Sequence, residues 1–187
     1  MTRSFEVLVR EYKALHQRRI TDEIGFYASL ELYPALALSK AVEAQGPDGK
    51  RHGHQYHIGP EQILHVKSSL MLSDVSAHAV GCEPFDCLHD YLWARYGSVD
   101  GIGPLYIYDL ALRLGASLGF KPTKVYLHAG TARGAKAFGI KGATASPTQF
   151  PEALDELEPY EIENFLCIYE VELHALKDRG RLPLRRE

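Results

Sequence analysis

Between Leu110 and Pro151 the chain contains no aspartate or glutamate. That stretch therefore supplies no carboxylate of its own for general acid–base chemistry or for a hard metal ion. Cysteine is scarce too, with Cys82, Cys87 and Cys167 the only three among 187 residues. Three are too few for a four-cysteine zinc or iron–sulfur site or for a disulfide framework, and they fit a reducing interior. No apolar run approaches the roughly 20 residues that span a bilayer, and no charged start followed by an apolar core marks a secretory signal. A cytoplasmic protein with no membrane partner is expected. A net charge of −3 gives no global attraction for polyanions, so any nucleic-acid site must be local. No repeat, heptad array or low-complexity tract is present.

What is present is helical periodicity. Phe5, Leu8, Val9, Tyr12 and Leu15 trace an amphipathic first helix, and Thr21, followed by Asp22 and Glu23, looks like the cap of a second. Pro34 kinks or restarts that second segment, and Gly46-Pro47-Asp48-Gly49 closes it in a turn. Pro60 can open a helix with Ile63, Val66, Leu70 and Met71 inward, and Ser73-Asp74 can cap a short helix ending near Gly81. A helix over 148–157 and a longer one from Pro159 to Lys177 complete the pattern. Only Lys124 to His128 has strand-like character. The expectation is an all-α, single-domain helical bundle over 1–187 with a basic, mobile tail at 177–187.

The most informative segment is 85–118. Phe85, Leu88 and Leu92 repeat at helical spacing, and Gly97 can supply a left-handed residue to end that helix. Pro104 then suits a first helical position, and Ile107, Ala111, Leu114 and Leu118 mark the face of the next helix. Between them lies Val99-Asp100-Gly101-Ile102-Gly103-Pro104. Two glycines let a backbone approach an anion without Cβ obstruction, and the unpaired amides of a helix start carry the positive end of its dipole.

This run resembles the helix-hairpin-helix motif of DNA glycosylases, endonucleases and other DNA repair proteins. The resemblance implies binding of the nucleic-acid backbone without sequence specificity. In the glycosylase superfamily the second helix leads to a segment carrying a catalytic aspartate. The matching position here is Tyr126, and the position of the lyase-type lysine falls near Leu105 and Tyr106. The resemblance therefore implies binding without base excision, and no catalytic residue is assigned.

Charge is polarised along the chain. The acid-free stretch carries Arg113, Lys121, Lys124, Arg133, Lys136 and Lys141 with His128, whereas 152–172 holds eight acids and no lysine or arginine. A basic block downstream of the hairpin suits a backbone-binding groove. The alternative is that the two blocks neutralise each other within the fold or between subunits. The expected interface is Gly101, Ile102 and Gly103 with Lys121, Lys124, His128, Arg133 and Lys136, with DNA or another nucleic acid as partner. A helical scaffold or homodimer that uses the hairpin only for packing is the alternative. A metal-dependent enzyme built on His52, His54, His57 and His65 is a third reading, but that spacing fits no strong ligand motif, and neither metal nor cofactor is expected. Cys82 and Cys87, flanked by Glu83 and Asp86, are expected to be free structural thiols. The Gly- and Ala-rich run from His128 to Gly142 lacks a phosphate-loop pattern and reads as a closely packed helix.

Overall fold

A computed structural model describes residues 3–70, 75 and 83–185, without the side chain of His54. Nine α-helices lie among the described residues: α1 (Phe5–Leu15), α2 (Gln17–Ala28), α3 (Pro34–Val42), α4 (Pro60–Ser69), α5 (Pro84–Tyr96), α6 (Pro104–Ser117), α7 (Ala129–Ala137), α8 (Pro159–Ile168) and α9 (Glu170–Asp178). One antiparallel pair, β1 (Val125–Tyr126) and β2 (Thr144–Ala145), aligns Val125 with Ala145 and Tyr126 with Thr144. Helix accounts for 62% of the described residues and strand for 4%, so the fold is mostly helical. The contacts divide it into two compact units, 1–20 with 122–187 and 21–121.

The first unit is built around aromatic side chains. Phe5 and Tyr12 of α1 meet the Phe165 ring of α8 edge-on, with centroids 5.9 and 5.6 Å apart, and Phe138 meets Phe150 in the same way at 5.8 Å. These edge-to-face contacts put the positive rim of one ring on the negative face of the next. Helix α7 lies close to α8 because Gly134 has no side chain. A Cβ there would stand 2.3 Å from the Leu166 carbonyl oxygen. The small-residue run from His128 is thus a packing surface, as its composition suggests.

The second unit is centred on α6, in which every residue from Tyr106 to Ser117 except Asp109 is buried. Helices α5 and α6 pack together, as do α3 and α6. The Tyr106 hydroxyl, donating 2.9 Å to the Val42 carbonyl at the end of α3, ties two of these helices. A chain buried all round its helix needs such partners for each polar group it carries inward.

Several boundaries differ from the sequence expectation. Thr21 lies inside α2, which begins at Gln17, so it is no cap. The stretch expected to be helical over 148–157 forms two 3₁₀ turns, Pro147–Gln149 and Glu152–Leu154, because Pro151 has no N–H to continue a helix. The long final helix breaks at Tyr169, between α8 and α9. Gly97 is right-handed, with φ −65°, so it does not end α5 by a left-handed turn. The tail is docked at Arg185, which forms a forked ion pair with Asp155 at 2.7 and 3.1 Å. Cys87 is disulfide-bonded, which corrects the free thiol expected there. Disulfides are rare in reducing compartments, so this bond and the cytoplasmic expectation pull in opposite directions. Met71, the cap at Ser73-Asp74, the end near Gly81, and Cys82 lie outside the described residues.

Candidate nucleic-acid interface

The turn 97–103 joins α5 to α6 within the second unit. Its backbone is held by Val99 N–H donating to the Tyr96 carbonyl and Ile102 N–H donating to the Val99 carbonyl, both at 3.0 Å. Gly101 has φ +81°, a conformation that side chains resist, so glycine is required there by the backbone. The Gln62 amide of α4 donates 3.2 Å to the Asp100 carbonyl and lies where a Gly101 Cβ would make contact, bracing the turn from one side. Ile102 is buried and anchors the turn.

Gly103 differs from Gly101. It is the residue before α6, in extended conformation at φ −104°, ψ 173°, and no side chain caps the helix. Among the described residues, a Cβ added there would meet nothing within 4 Å. Neither backbone nor neighbours demand glycine at this position. The first-turn N–H groups of Leu105 and Tyr106 have no acceptor within the helix.

The expected basic partners are distributed unequally. Lys121, exposed, belongs to the same unit as the turn, whereas Lys124, His128, Arg133 and Lys136 belong to the other. Within that other unit Lys124 and Lys136 are exposed. Arg133 is engaged by Glu170, with Nε 2.9 Å and Nη2 2.9 Å from Oε2. His128 is buried, its Nε2 3.5 Å from the Glu163 carboxylate, and Thr131 donates its hydroxyl to the same oxygen. His128 therefore fastens the start of α7 to α8 and is not an exposed cation. The acidic block is likewise engaged: Glu156 with Lys13, Glu172 with Arg3 and Asp155 with Arg185. Much of the polarity visible in the sequence is neutralised inside the first unit.

The strongest electrostatic cluster was missed by sequence reasoning. Arg113, which reads in the sequence as one member of the basic block, is 1% exposed at the centre of the second unit. Its Nε donates 3.0 Å to Glu23 of α2, its Nη2 is 3.7 Å from Asp109 one turn earlier, and His52 Nε2 lies 3.2 Å from the same Glu23 oxygen. Gln55 donates its amide to Asp109. Burial alone would push the Arg113 guanidinium down, but Asp109 and Glu23 more than offset it and hold it above its ordinary value. The Asp109–Arg113 spacing of one helical turn was a visible signal for part of this cluster.

The described side chains of the histidine-rich segment, those of His52, His57 and His65, form no metal-binding group. His52 faces Glu23, His57 is exposed, and the His65 ring meets Tyr96 edge-on at 6.0 Å. Among the described residues no group of three or more His, Cys, Asp or Glu side chains is arranged to hold a metal ion. A cavity of about 300 Å³ in the second unit is lined by Glu43, Arg51, Ile63, Leu64 and Lys67 among others, with Lys67 bridging to Glu43 at 2.6 Å. Among the described residues no helix is long and apolar enough to cross a membrane. No family model, curated protein or solved structure matches this chain.

Proposed function

We propose that this protein binds a nucleic-acid backbone without sequence specificity, the turn at Gly101 to Gly103 serving as a helix-hairpin-helix element. The observation that carries this reading is Gly103: its conformation suits any residue and no described residue lies within 4 Å of a Cβ placed there, so its missing side chain leaves room for something outside the chain. A phosphate approaching there would meet the first-turn amides of α6 and the positive end of a 14-residue helix dipole. Lys121 of the same unit would add a screened attraction. Lys124, His128, Arg133 and Lys136 belong to the other unit, where His128 and Arg133 face carboxylates, so the site proposed here is that of the turn's own unit.

The test is fluorescence anisotropy of labelled oligonucleotides, single-stranded and duplex, at about 50 and 200 mM salt, a range over which a multi-contact site loses orders of magnitude in affinity. Gly103→Val should abolish binding while leaving the circular dichroism spectrum unchanged, because a Cβ there meets no described residue within 4 Å and the backbone is extended. Lys121→Ala should lower the salt slope by roughly one unit. Absence of binding by wild type at the lower salt removes the reading.

A second reading has one observation in its favour. Leu32, Tyr33 and Leu36, where α2 gives way to α3, are 79%, 62% and 45% exposed. Adjacent exposed apolar side chains of this size mark interaction surfaces. A homodimer seated there would dissociate in sedimentation when Leu32 and Leu36 are replaced by serine.

A further inference from the structure

The chain has a single tryptophan, Trp93, and 45% of it is exposed. It stands in the last turn of α5, whose buried face is formed by Phe85, Leu88, Leu92 and Tyr96. Trp93 lies one residue, about 100° of helical rotation, beyond Leu92, so the core does not require an apolar side chain there. An indole left on the solvent side of an amphipathic helix needs another reason.

Its seat is defined by Gly97, the first residue of the turn. A Cβ on Gly97 would stand 2.7 Å from the Trp93 carbonyl oxygen, 3.0 Å from Trp93 Cδ2 and 3.1 Å from Cε2. These two carbons are shared by the five- and six-membered rings, each bonded to three ring atoms, so they have no in-plane edge to approach. Gly97 therefore lies against the flat face of the indole, and the missing side chain lets the ring rest on the backbone. The close carbonyl and the ring together account for a glycine at a position whose φ of −65° does not call for one. The ring is thereby braced from one side. Among the described residues no aromatic ring or cation stacks on its other face.

We infer that Trp93 is a stacking platform for an unpaired nucleobase, and that the protein prefers single-stranded over duplex nucleic acid. The inference rests on the proposed binding at the turn, which begins at the glycine that seats the ring. A strand whose phosphates follow the turn 97–103 has a base available to the adjoining indole only where that base is not paired and stacked in a duplex. Stacking on an aromatic side chain tolerates any base, since every base has a π-face, and so agrees with sequence-independent binding.

The test uses the intact chain, a labelled oligothymidylate and the matching duplex at about 50 mM salt. Anisotropy reports binding, and the emission of the sole tryptophan reports stacking. The single strand should bind at least about five-fold more tightly than the duplex and quench Trp93 in a saturable way, the lower end of what one base stacked on an aromatic side chain contributes. Trp93→Ala should remove the preference while leaving duplex affinity within about two-fold of wild type, and Trp93→Phe should restore part of it. Should Trp93→Ala fold poorly, the wild-type quench and Trp93→Phe still decide. If oligonucleotides bind in a manner abolished by Gly103→Val, but Trp93 emission is unchanged or the duplex binds as tightly, the stacking inference is overturned and the turn reading stands. If neither strand form binds, both are overturned.

Discussion

Replacing Arg113 by leucine should cost the second unit a large part of its stability. The side chain is 2% exposed, and its partners Glu23 and Asp109 retain only 15% and 12% exposure. Leucine fills part of the guanidinium's volume and adds apolar burial, but it leaves two carboxylates inside the unit with no arginine beside them. Breaking a buried ion pair by removing one partner costs about 3–5 kcal/mol, chiefly because the orphaned charge stays desolvated. His52 Nε2 stays 3.2 Å from Glu23, so one of the two carboxylates keeps a polar neighbour, which puts the expected loss near the lower end, about 3 kcal/mol. That is a large share of the roughly 5–15 kcal/mol that stabilises a typical domain.

Urea unfolding followed by far-ultraviolet circular dichroism measures the loss, and pH gives a second handle. In the variant a protonated carboxyl needs no counter-ion, so the deficit relative to wild type should shrink as pH falls toward the ordinary carboxylate range near 4. The triple change Arg113→Met, Glu23→Gln, Asp109→Asn should recover much of the loss by removing all three charges together. A deficit under about 1 kcal/mol at neutral pH, or one that grows on acidification, would refute the idea that Arg113 serves as a buried counter-ion.

Two further outcomes follow from packing and burial. Gly134→Ala should destabilise the protein by roughly 1–3 kcal/mol, because its methyl would collide with the Leu166 carbonyl, whereas Gly25→Ala on the open surface of α2 should stabilise it slightly by stiffening the unfolded chain. A Gly134→Ala variant that melts at or above the wild-type temperature would contradict the close approach of α7 and α8. Tyr12, Tyr27 and Tyr106 have phenols held well above the ordinary range chiefly by burial, and Tyr169 is pushed up to about 12, also chiefly by burial. Above pH about 10 the unfolded chain releases protons that the folded chain keeps, so stability must fall as pH rises from there. Phenolate absorbance should show these four tyrosines ionising only as the protein unfolds; all eleven tyrosines titrating together near pH 10 in a still-helical protein would contradict the burial of the four.

Local pattern carried most of the secondary structure. The apolar spacing of Phe5 to Tyr12 and of Phe85 to Leu92, and the prolines at 34, 60 and 104, appear as helices and helix starts because these signals act within one or two turns of chain. The errors have equally local causes. Tyr169 breaks a continuous apolar face without a proline or glycine to announce it, and Pro151 was outweighed by the apolar residues around it.

Charge was the property that sequence alone described least well. A run of basic residues followed by a run of acids is a one-dimensional pattern, and only folding decides which members meet. Arg113 finds Glu23 from 90 residues away and leaves the surface altogether, and Arg133 closes on Glu170 because α7 packs on α9. The two glycines of the hairpin also separate only in three dimensions, one required by a left-handed backbone and one facing open space. Helix formation is governed by neighbours three or four residues apart, so a sequence reveals it. Burial of a charge, the seat of a tryptophan on a glycine and the emptiness around a backbone amide depend on neighbours brought together by packing, and those the tertiary structure alone decided.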